Sequence, residues 1–336
     1  MSQQIAIIGS GYAVPPQIRT NDDPIFDWLR AHGFPPNTGP FTGFNERRVL
    51  PSTDTLTELP RTGTDLMIAA ARQALKNASV KPAQVDLLLG WASISEFLTP
   101  NALTVVHQQL KLRPDAWLVP VEGLENFSTA LWTADALIKA GRGKIALIVA
   151  GCNWTHYVDY HTPQSVSAGD GAGAVVLAPS RKKGLFSLVD AATQVVSKVY
   201  GGMFMQGDAI AGADPAVWSC PYFHITPAGF NTFNTLGMEA PAQVGNLLLK
   251  RNKVKPKNVT LITHQASKVL MDAWKKKIRP GQYLSTRETF ANMVSATVPV
   301  NFAYFSHRKM IQNDYVLLLN PSAEFKAVGA LLKRNR

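Results

Sequence analysis

Leu75-Lys-Asn-Ala-Ser-Val-Lys-Pro-Ala-Gln-Val-Asp-Leu87 returns later in the chain as Leu249-Lys-Arg-Asn-Lys-Val-Lys-Pro-Lys-Asn-Val-Thr-Leu261, with Leu, Lys, Val, Lys-Pro, Val and Leu at the same offsets. Each copy reads as the end of a helix, a Pro-marked turn and the start of a buried strand. The preceding helices are expected over 65–76, with Leu66, Ile68, Ala69, Ala74 and Leu75 for a buried face, and over 240–250. The strands that follow, 85–89 and 259–263, are short and apolar, as in a sheet covered by helices on both faces. Two further apolar runs, 144–150 and 314–319, extend the correspondence. The chain therefore reads as a duplicated α/β protein. Its halves are expected at 1–180 and 230–336, joined by an irregular segment over 181–229 that carries Gly201-Gly202, Gly207, Gly212 and Pro215. A second irregular stretch, 33–42, holds Pro35, Pro36 and Pro40 and is expected to be a surface excursion near the mouth of a site.

Composition bounds the function classes. A chain of 336 residues with 46% hydrophobic and 17% charged residues can bury a sizeable core. No run approaches the roughly 20 apolar residues of a membrane span, and Met1-Ser-Gln-Gln4 leads into strand-like Ile5-Ala-Ile-Ile8 without a basic leader. A cytoplasmic protein without a membrane partner is the expectation. Cys152 and Cys220 are the only cysteines, too few for a disulfide framework or a metal-ligand spacing, so no metal or other cofactor is expected. The net charge of +11 favours acidic partners. Nucleic acid is disfavoured, because the basic residues are not interleaved with aromatics or set in a recognition motif.

Several short motifs invite chemistry. Gly169-Asp-Gly-Ala-Gly-Ala174 lacks the Lys-Ser/Thr of a phosphate loop and is better explained by close backbone approach, with Asp170 hydrogen-bonding locally. Gly9-Ser-Gly11 reads as a tight turn leaving a strand, since Pro15-Pro16 forbids the helix of a dinucleotide fingerprint. His264-Gln-Ala266 and Asn292 could supply two donors to a developing oxyanion, although a strand-end cap and a turn residue are the bland alternatives. The other histidines, His32, His107, His156, His161, His224 and His307, read as surface or packing residues.

Together, Ile8-Gly-Ser-Gly-Tyr12 with Thr20-Asn21-Asp22, Thr42-Gly-Phe-Asn-Glu-Arg-Arg48, Gly169 to Ala174, His264-Gln-Ala266, and Asn292 followed by Ser295-Ala-Thr-Val-Pro299 resemble the β-ketoacyl-ACP synthase III family, nearly end to end. The resemblance implies a thiolase fold, an α/β five-layer αβαβα sandwich of two similar halves that usually dimerises. It also implies acyl-CoA or acyl carrier protein (ACP) as partners, with His264 and Asn292 as catalytic residues. Trp28 matches an aromatic that stacks on the CoA adenine, and Lys275, Lys276, Lys277 and Arg279 match a basic carrier-docking region, for which a solvated helix face is the plain alternative. Lys250, Arg251, Lys253, Lys255 and Lys257 add to the positive charge of this half.

The chain departs from the family where the nucleophile belongs. That cysteine stands three residues before a Phe at a helix start. Val121-Glu-Gly-Leu-Glu-Asn-Phe-Ser-Thr-Ala-Leu131 keeps Phe127, expected to contact substrate, but puts Leu124 at the nucleophile position. A one-residue slip would put Glu125 there, as a catalytic carboxylate or, more simply, a helix cap; Ser128 lies a turn too far along. The Gly-rich turn that completes the family's oxyanion hole reads Pro321-Ser-Ala-Glu-Phe325. Three readings follow. The first is an acyl-processing enzyme using His264 and Asn292 without a covalent Cys intermediate, for acyl transfer or malonyl decarboxylation in fatty-acid-like or specialised-metabolite synthesis. The second is an inactive subunit paired with a Cys-bearing ketosynthase, as a heterodimer rather than a homodimer. The third is a non-catalytic carrier-protein-binding module. The stretch 93–98 is a candidate lining for the acyl chain.

Overall fold

The computed structural model describes residues 4–51, 62–95, 100–206, 222–323 and 325–336. Fourteen strands are described: β1 (Gln4–Ala13), β2 (Ile18–Thr20), β3 (Glu46–Arg48), β4 (Leu87–Ala92), β5 (Trp117–Pro120), β6 (Ala146–Asn153), β7 (Asp170–Ser180), β8 (Phe186–Val195), β9 (Met203–Gln206), β10 (Tyr222–Ile225), β11 (Val259–Thr263), β12 (Gln282–Leu284), β13 (Tyr315–Pro321) and β14 (Lys326–Arg334). The helices are α1 (Asp27–Ala31), α2 (Gly63–Ala78), α3 (Ala102–Leu110), α4 (Asn126–Lys139), α5 (Pro227–Arg251), α6 (Lys268–Ile278), α7 (Arg287–Phe290) and α8 (Thr297–His307).

Ten strands form one sheet in the order β12-β11-β13-β14-β8-β1-β7-β6-β4-β5. Reading outward from its centre, the first half runs β1-β7-β6-β4-β5 and the second β8-β14-β13-β11-β12. Each half places its first, fifth, fourth, second and third strands in that sequence. The pairing sense repeats too: β4 is parallel to β5 and β6, while β7 is antiparallel to β6 and β1. In the second half β11 is parallel to β12 and β13, while β14 is antiparallel to β13 and β8. A single antiparallel pair, Ile7 with Phe186, joins the halves. The repeated Val-Lys-Pro segments occupy equivalent places, just ahead of β4 and β11.

Alternation along the strands sorts side chains into layers. Leu88, Leu147 and Val149 face an outer cluster with Leu66, Met67 and Ala70 of α2 and Leu103 and Val106 of α3. Leu87, Leu89, Ala146 and Ile148 face the opposite way, toward Phe127 and Leu131 of α4 and Val298 and Phe302 of α8. That central cluster is completed from the second half by Ile262, Val316, Leu318, Ala330 and Leu332. Leu261, Leu317, Leu319 and Leu331 face outward onto α5 and α6, through Val244, Leu248, Leu270 and Trp274. The result is helices, half-sheet, helices, half-sheet, helices, the expected five-layer α/β thiolase sandwich.

Four sequence expectations change. The stretch 181–229 is not merely irregular: β8, which opens the second half, begins at Phe186, ahead of the expected boundary at 230, and β9 and β10 form a small hairpin; residues 207–221 lie outside the described residues. The helix expected over 240–250 starts instead at Pro227, where the Thr226 side chain accepts from Gly229 N–H at 3.0 Å, and it continues past Pro241. Gly9 and Gly11 are no turn but lie inside β1, where α2 crosses so closely that a Cβ on Gly11 would stand 2.3 Å from the Ala70 carbonyl oxygen. Asp170 does not bond only locally: its carboxylate accepts from Leu50 N–H at 2.8 Å, and from the N–H and hydroxyl of Thr155, tying three segments together.

The excursion over 33–42 holds a short turn at Gly39–Phe41 that packs against α6 and the turn at Pro163–Ser167. Among the described residues no helix is long and apolar enough to cross a membrane.

Because the Gly11 contact is with backbone that cannot rotate away, Gly11→Ala is expected to destabilise the fold by about 2 to 3 kcal/mol, read as a lower urea midpoint. An unchanged midpoint would show that α2 can move off β1 freely.

Candidate active site

His264 follows directly from the carboxyl end of β11. Its N–H donates to the Leu319 carbonyl at 3.0 Å, continuing the β11–β13 ladder by one step. Since Ile262 belongs to the central layer, alternation turns His264 toward that layer too. The ring is buried, with 5% of the residue exposed, and its Nδ1 has no hydrogen-bond partner. Burial lowers its pKa from 6.5 to about 4, against a smaller opposite pull from a Val294 backbone hydrogen bond. The imidazole is therefore neutral at pH 7.

Asn292 sits on a loop held in an uncommon conformation. Ala291 has φ of 56° and Val294 φ of 46°, the latter unfavourable for a β-branched side chain. Gln265, completely buried, holds this loop in place. Its Nε2 donates to the Ala291 carbonyl, and its Oε1 accepts at 2.9 Å from each of Ser285 Oγ, Thr286 N–H and Asn301 Nδ2. Asn292 N–H donates to the Ser167 carbonyl at 2.8 Å and its carbonyl accepts from Gly169 N–H at 3.0 Å. The glycine run thus lies beneath the loop: a Cβ on Gly169 would stand 2.4 Å from the Phe290 carbonyl oxygen, and one on Gly171 2.6 Å from Met293 Sδ. The Asn292 Oδ1 accepts from Val294 N–H at 2.9 Å and Thr297 Oγ1 at 3.4 Å. Its oxygen is already engaged, so the group left to meet a ligand is the Nδ2 donor. Val294 bonds Asn292 through its N–H, and its backbone lies close enough to the His264 ring to act on its pKa, so the two residues share a neighbour.

The head of α4 enters the same region. Gly123, at φ of 101°, turns the chain, and Leu124 follows in the turn, partly buried. Glu125 is the N-cap residue of α4, but its side chain makes no capping bond, contrary to the simplest expectation. Instead its Oε1 pairs with Lys326 Nζ at 2.5 Å, with 2% of the Glu125 side chain exposed. Its Oε2 has no hydrogen-bond partner. One turn on, Ser128 Oγ donates to Asn320 Oδ1 at 2.6 Å, leaving Asn320 Nδ2 buried and unpartnered. Asn320 lies on β13 next to Leu319, and so beside His264. Phe127 is completely buried within the central core cluster.

The remaining expected residues are dispersed. Trp28 is exposed on α1, with one face stacked on His32 at 3.9 Å and an edge contact to His161. Lys275, Lys276 and Lys277 line the exposed side of α6; Lys275 Nζ sits 5.8 Å from the Tyr283 ring and Lys277 pairs with Glu239 at 2.7 Å. His307 bonds Ser10, His107 the Arg113 carbonyl, and His224 stacks on Phe204. Cys152 is buried in β6, its thiol pKa pushed up by burial and then by Asp170; Cys220 lies outside the described residues. Of the acyl-chain candidate stretch, 96–98 lies outside them as well. In place of the glycine turn, Ser322 N–H donates to the Lys326 carbonyl at 2.7 Å, and Phe325 adopts φ of 53°. No group of three or more metal-ligating side chains is found among the described residues.

Sequence reasoning missed Lys326 and Asn320. Asn320 left a readable trace, a polar residue closing the apolar run 315–319. Lys326 left none, because its partner is 201 residues away.

Comparison with known proteins fits this architecture. The sequence profile of 3-oxoacyl-[acyl-carrier-protein (ACP)] synthase III matches residues 124–194. The β-ketoacyl-[acyl-carrier-protein] synthase III of Coxiella burnetii is 25% identical over 342 residues, covering 97% of this chain and 98% of its own. The priming β-ketosynthase of the R1128 polyketide biosynthetic pathway superimposes with a TM-score of 0.83 at 20% identity, covering 99% of this chain and 96% of its own. Xanthomonas campestris OleA, solved as a cysteine-to-serine variant with bound lauric acid and lauroyl-CoA, does so with a TM-score of 0.81 at 16% identity, covering 99% of this chain and 100% of its own. With its two matched half-sheets, the chain has the thiolase fold of these proteins, and its sequence is similar along nearly its whole length to β-ketoacyl-ACP synthases III.

Proposed function

We propose that the chain processes acyl thioesters carried by CoA or acyl carrier protein, in fatty-acid or polyketide-type synthesis, through His264 and Asn292 and without a covalent cysteine intermediate. The observation that carries this reading is the pairing of a neutral, buried imidazole with an asparagine whose carboxamide oxygen is already engaged. Loss of carbon dioxide from a malonyl thioester, or attack of an acceptor on an acyl thioester, both place negative charge on the thioester oxygen. The Asn292 Nδ2 group donates to that charge, and the neutral His264 ring, which carries one N–H, donates to it in the tautomer that turns this N–H toward the thioester rather than toward Val294. A cysteine route is poorly served: Leu124 stands at the expected nucleophile position, and Cys152 is buried with its thiol held protonated. The relatives' names, which include synthases acting with acyl carrier protein and OleA with bound lauroyl-CoA, support the substrate class. Trp28 is then the candidate adenine-stacking residue. The exposed lysines of α6 form the candidate carrier-docking face, attracting an acidic partner through their field.

Leu124 also favours a second reading, an inactive subunit that completes a heterodimer with a Cys-bearing ketosynthase. Turnover by the purified chain alone separates the two. Thiol release or decarboxylation is expected on CoA or carrier-protein thioesters. Asn292→Ala, which removes one donor, should cost about 10² to 10³ in kcat, and His264→Ala should abolish turnover. No turnover by the native chain on either type of thioester would overturn the enzyme reading and favour the partner subunit.

The neutral state of His264 has its own consequence. Its folded pKa of about 4 lies below the ordinary 6.5, so unfolding takes up a proton between those values. The stability it supports is intact above pH 6.5 and is lost as pH falls toward 4, on the order of 3 kcal/mol. Urea unfolding at pH 7 and pH 4 should show the native chain losing about that much more than His264→Gln. Parallel losses would mean that the ring is not held neutral.

A further inference from the structure

Among the described residues, sixteen buried side-chain polar atoms have no hydrogen-bond partner, and four of them lie on adjoining segments. Glu125 Oε2, Asn126 Oδ1, His264 Nδ1 and Asn320 Nδ2 all belong to the head of α4 or to the strand ends that face it. Glu125 and Asn320 expose 1% and 0% of their surfaces. Burying such groups unpaired is costly, and a cluster of them marks a place where a ligand supplies the missing bonds. The positions are fixed by packing. Asn320 shares the inward face of β13 with Leu318 and is tied to α4 by Ser128. In the parallel β11–β13 register the step after Thr263 and Leu319 sets His264 beside Asn320.

Glu125 is held in a particular way. Lys326, at the start of β14, takes one carboxylate oxygen and leaves the other unbonded. Gly123 leaves the room: a Cβ there would stand 2.5 Å from Oε2. A carboxylate ion-paired to a lysine through one oxygen, with the other oxygen open and buried at the start of α4, is arranged to accept a proton. It directly follows Leu124, where this chain carries a side chain that cannot form a thioester.

We infer that Glu125 is the general base of a direct acyl transfer, that Lys326 positions it, and that the acceptor is a neutral protic nucleophile, an alcohol or an amine, which approaches at the head of α4. The inference rests on the thioester reading of His264 and Asn292 and adds the acceptor. The acceptor oxygen or nitrogen attacks the thioester carbonyl carbon while its proton passes to Glu125 Oε2. The carbonyl oxygen takes the negative charge, held by Asn292 and His264, and the unpartnered Asn320 amide lies beside them as a third donor. Collapse of the adduct breaks the carbon–sulfur bond, and the departing thiolate takes the proton back from Glu125. The products are an ester or amide and a free thiol, with no oxidant or reductant needed.

The test uses the full chain with acyl-CoA and three acceptors: a primary alcohol, a primary amine, and a thiol with a pKa below the assay pH. The thiol arrives as its thiolate and has no proton to give up. Products are read by mass and free CoA by chromatography. Native protein is expected to acylate the alcohol or the amine. Glu125→Gln, which preserves shape and a hydrogen bond to Lys326, should lose about a hundredfold or more in kcat for those acceptors, with little change in KM for acyl-CoA, while still acylating the thiolate. Added formate should restore part of the alcohol or amine reaction to Glu125→Ala. Melting temperatures of both variants report folding independently, and Lys326→Met should reduce the same reaction less than Glu125→Gln does. An equal loss for all three acceptors in a folded Glu125→Gln protein, or no loss, overturns the inference and leaves the His264–Asn292 reading standing. Absence of transfer and of thiol release by the native chain overturns both.

Discussion

Two helices, α8 along nearly all of its length and α4 along one face, are buried between two half-sheets, and the rest of the molecule is arranged around that constraint. Because Phe127 and Leu131 of α4 and Val298 and Phe302 of α8 pack with both half-sheets at once, neither half can close its inner face alone. A half-sheet with an open apolar face is unstable in water, so the duplication is structurally obligatory. The same burial brings the head of α4, the ends of β11 and β13 and the loop at Asn292 together in a region with little water. What is polar there must find partners within the protein or from a ligand.

Local strain and local hydrogen bonding offset each other at the Asn292 loop. Two non-glycine residues with positive φ cost about 1 to 3 kcal/mol each. The four hydrogen bonds of Gln265 contribute about 1 kcal/mol apiece, and Asn292 adds backbone bonds to Ser167 and Gly169. The balance fixes one carboxamide with its NH2 group free. The glycines at 169 and 171 permit the arrangement, since any side chain there would strike the loop's own backbone or Met293.

At the head of α4, directly after Leu124, the buried Glu125 is ion-paired to the partly exposed Lys326. Burying the Glu125 carboxylate carries a desolvation cost that a single partly exposed lysine offsets only in part, so the pair is weak evidence for a role in fold stability. Their asymmetry, with one oxygen paired and the other open, is what distinguishes them from a structural bridge.

The sequence by itself determined the duplicated α/β architecture, because the repeated Val-Lys-Pro segments and apolar strand runs depend only on local periodicity and turn chemistry. It also offered His264 and Asn292 as candidate site residues and set Leu124 where the resemblance places a cysteine, since these readings follow from residue identity and order. It misjudged Gly9 and Gly11, whose requirement is the crossing of a helix far along the chain rather than a turn, and it missed the start of α5 because Pro241 reads locally as a stop. Only the tertiary structure decided that Glu125 pairs with Lys326 rather than capping its own helix, that Asn320 stands beside His264, and that the imidazole is neutral. Each of these depends on which distant strand ends meet the head of α4 and on how completely water is excluded there, and neither is a property of any local stretch of chain.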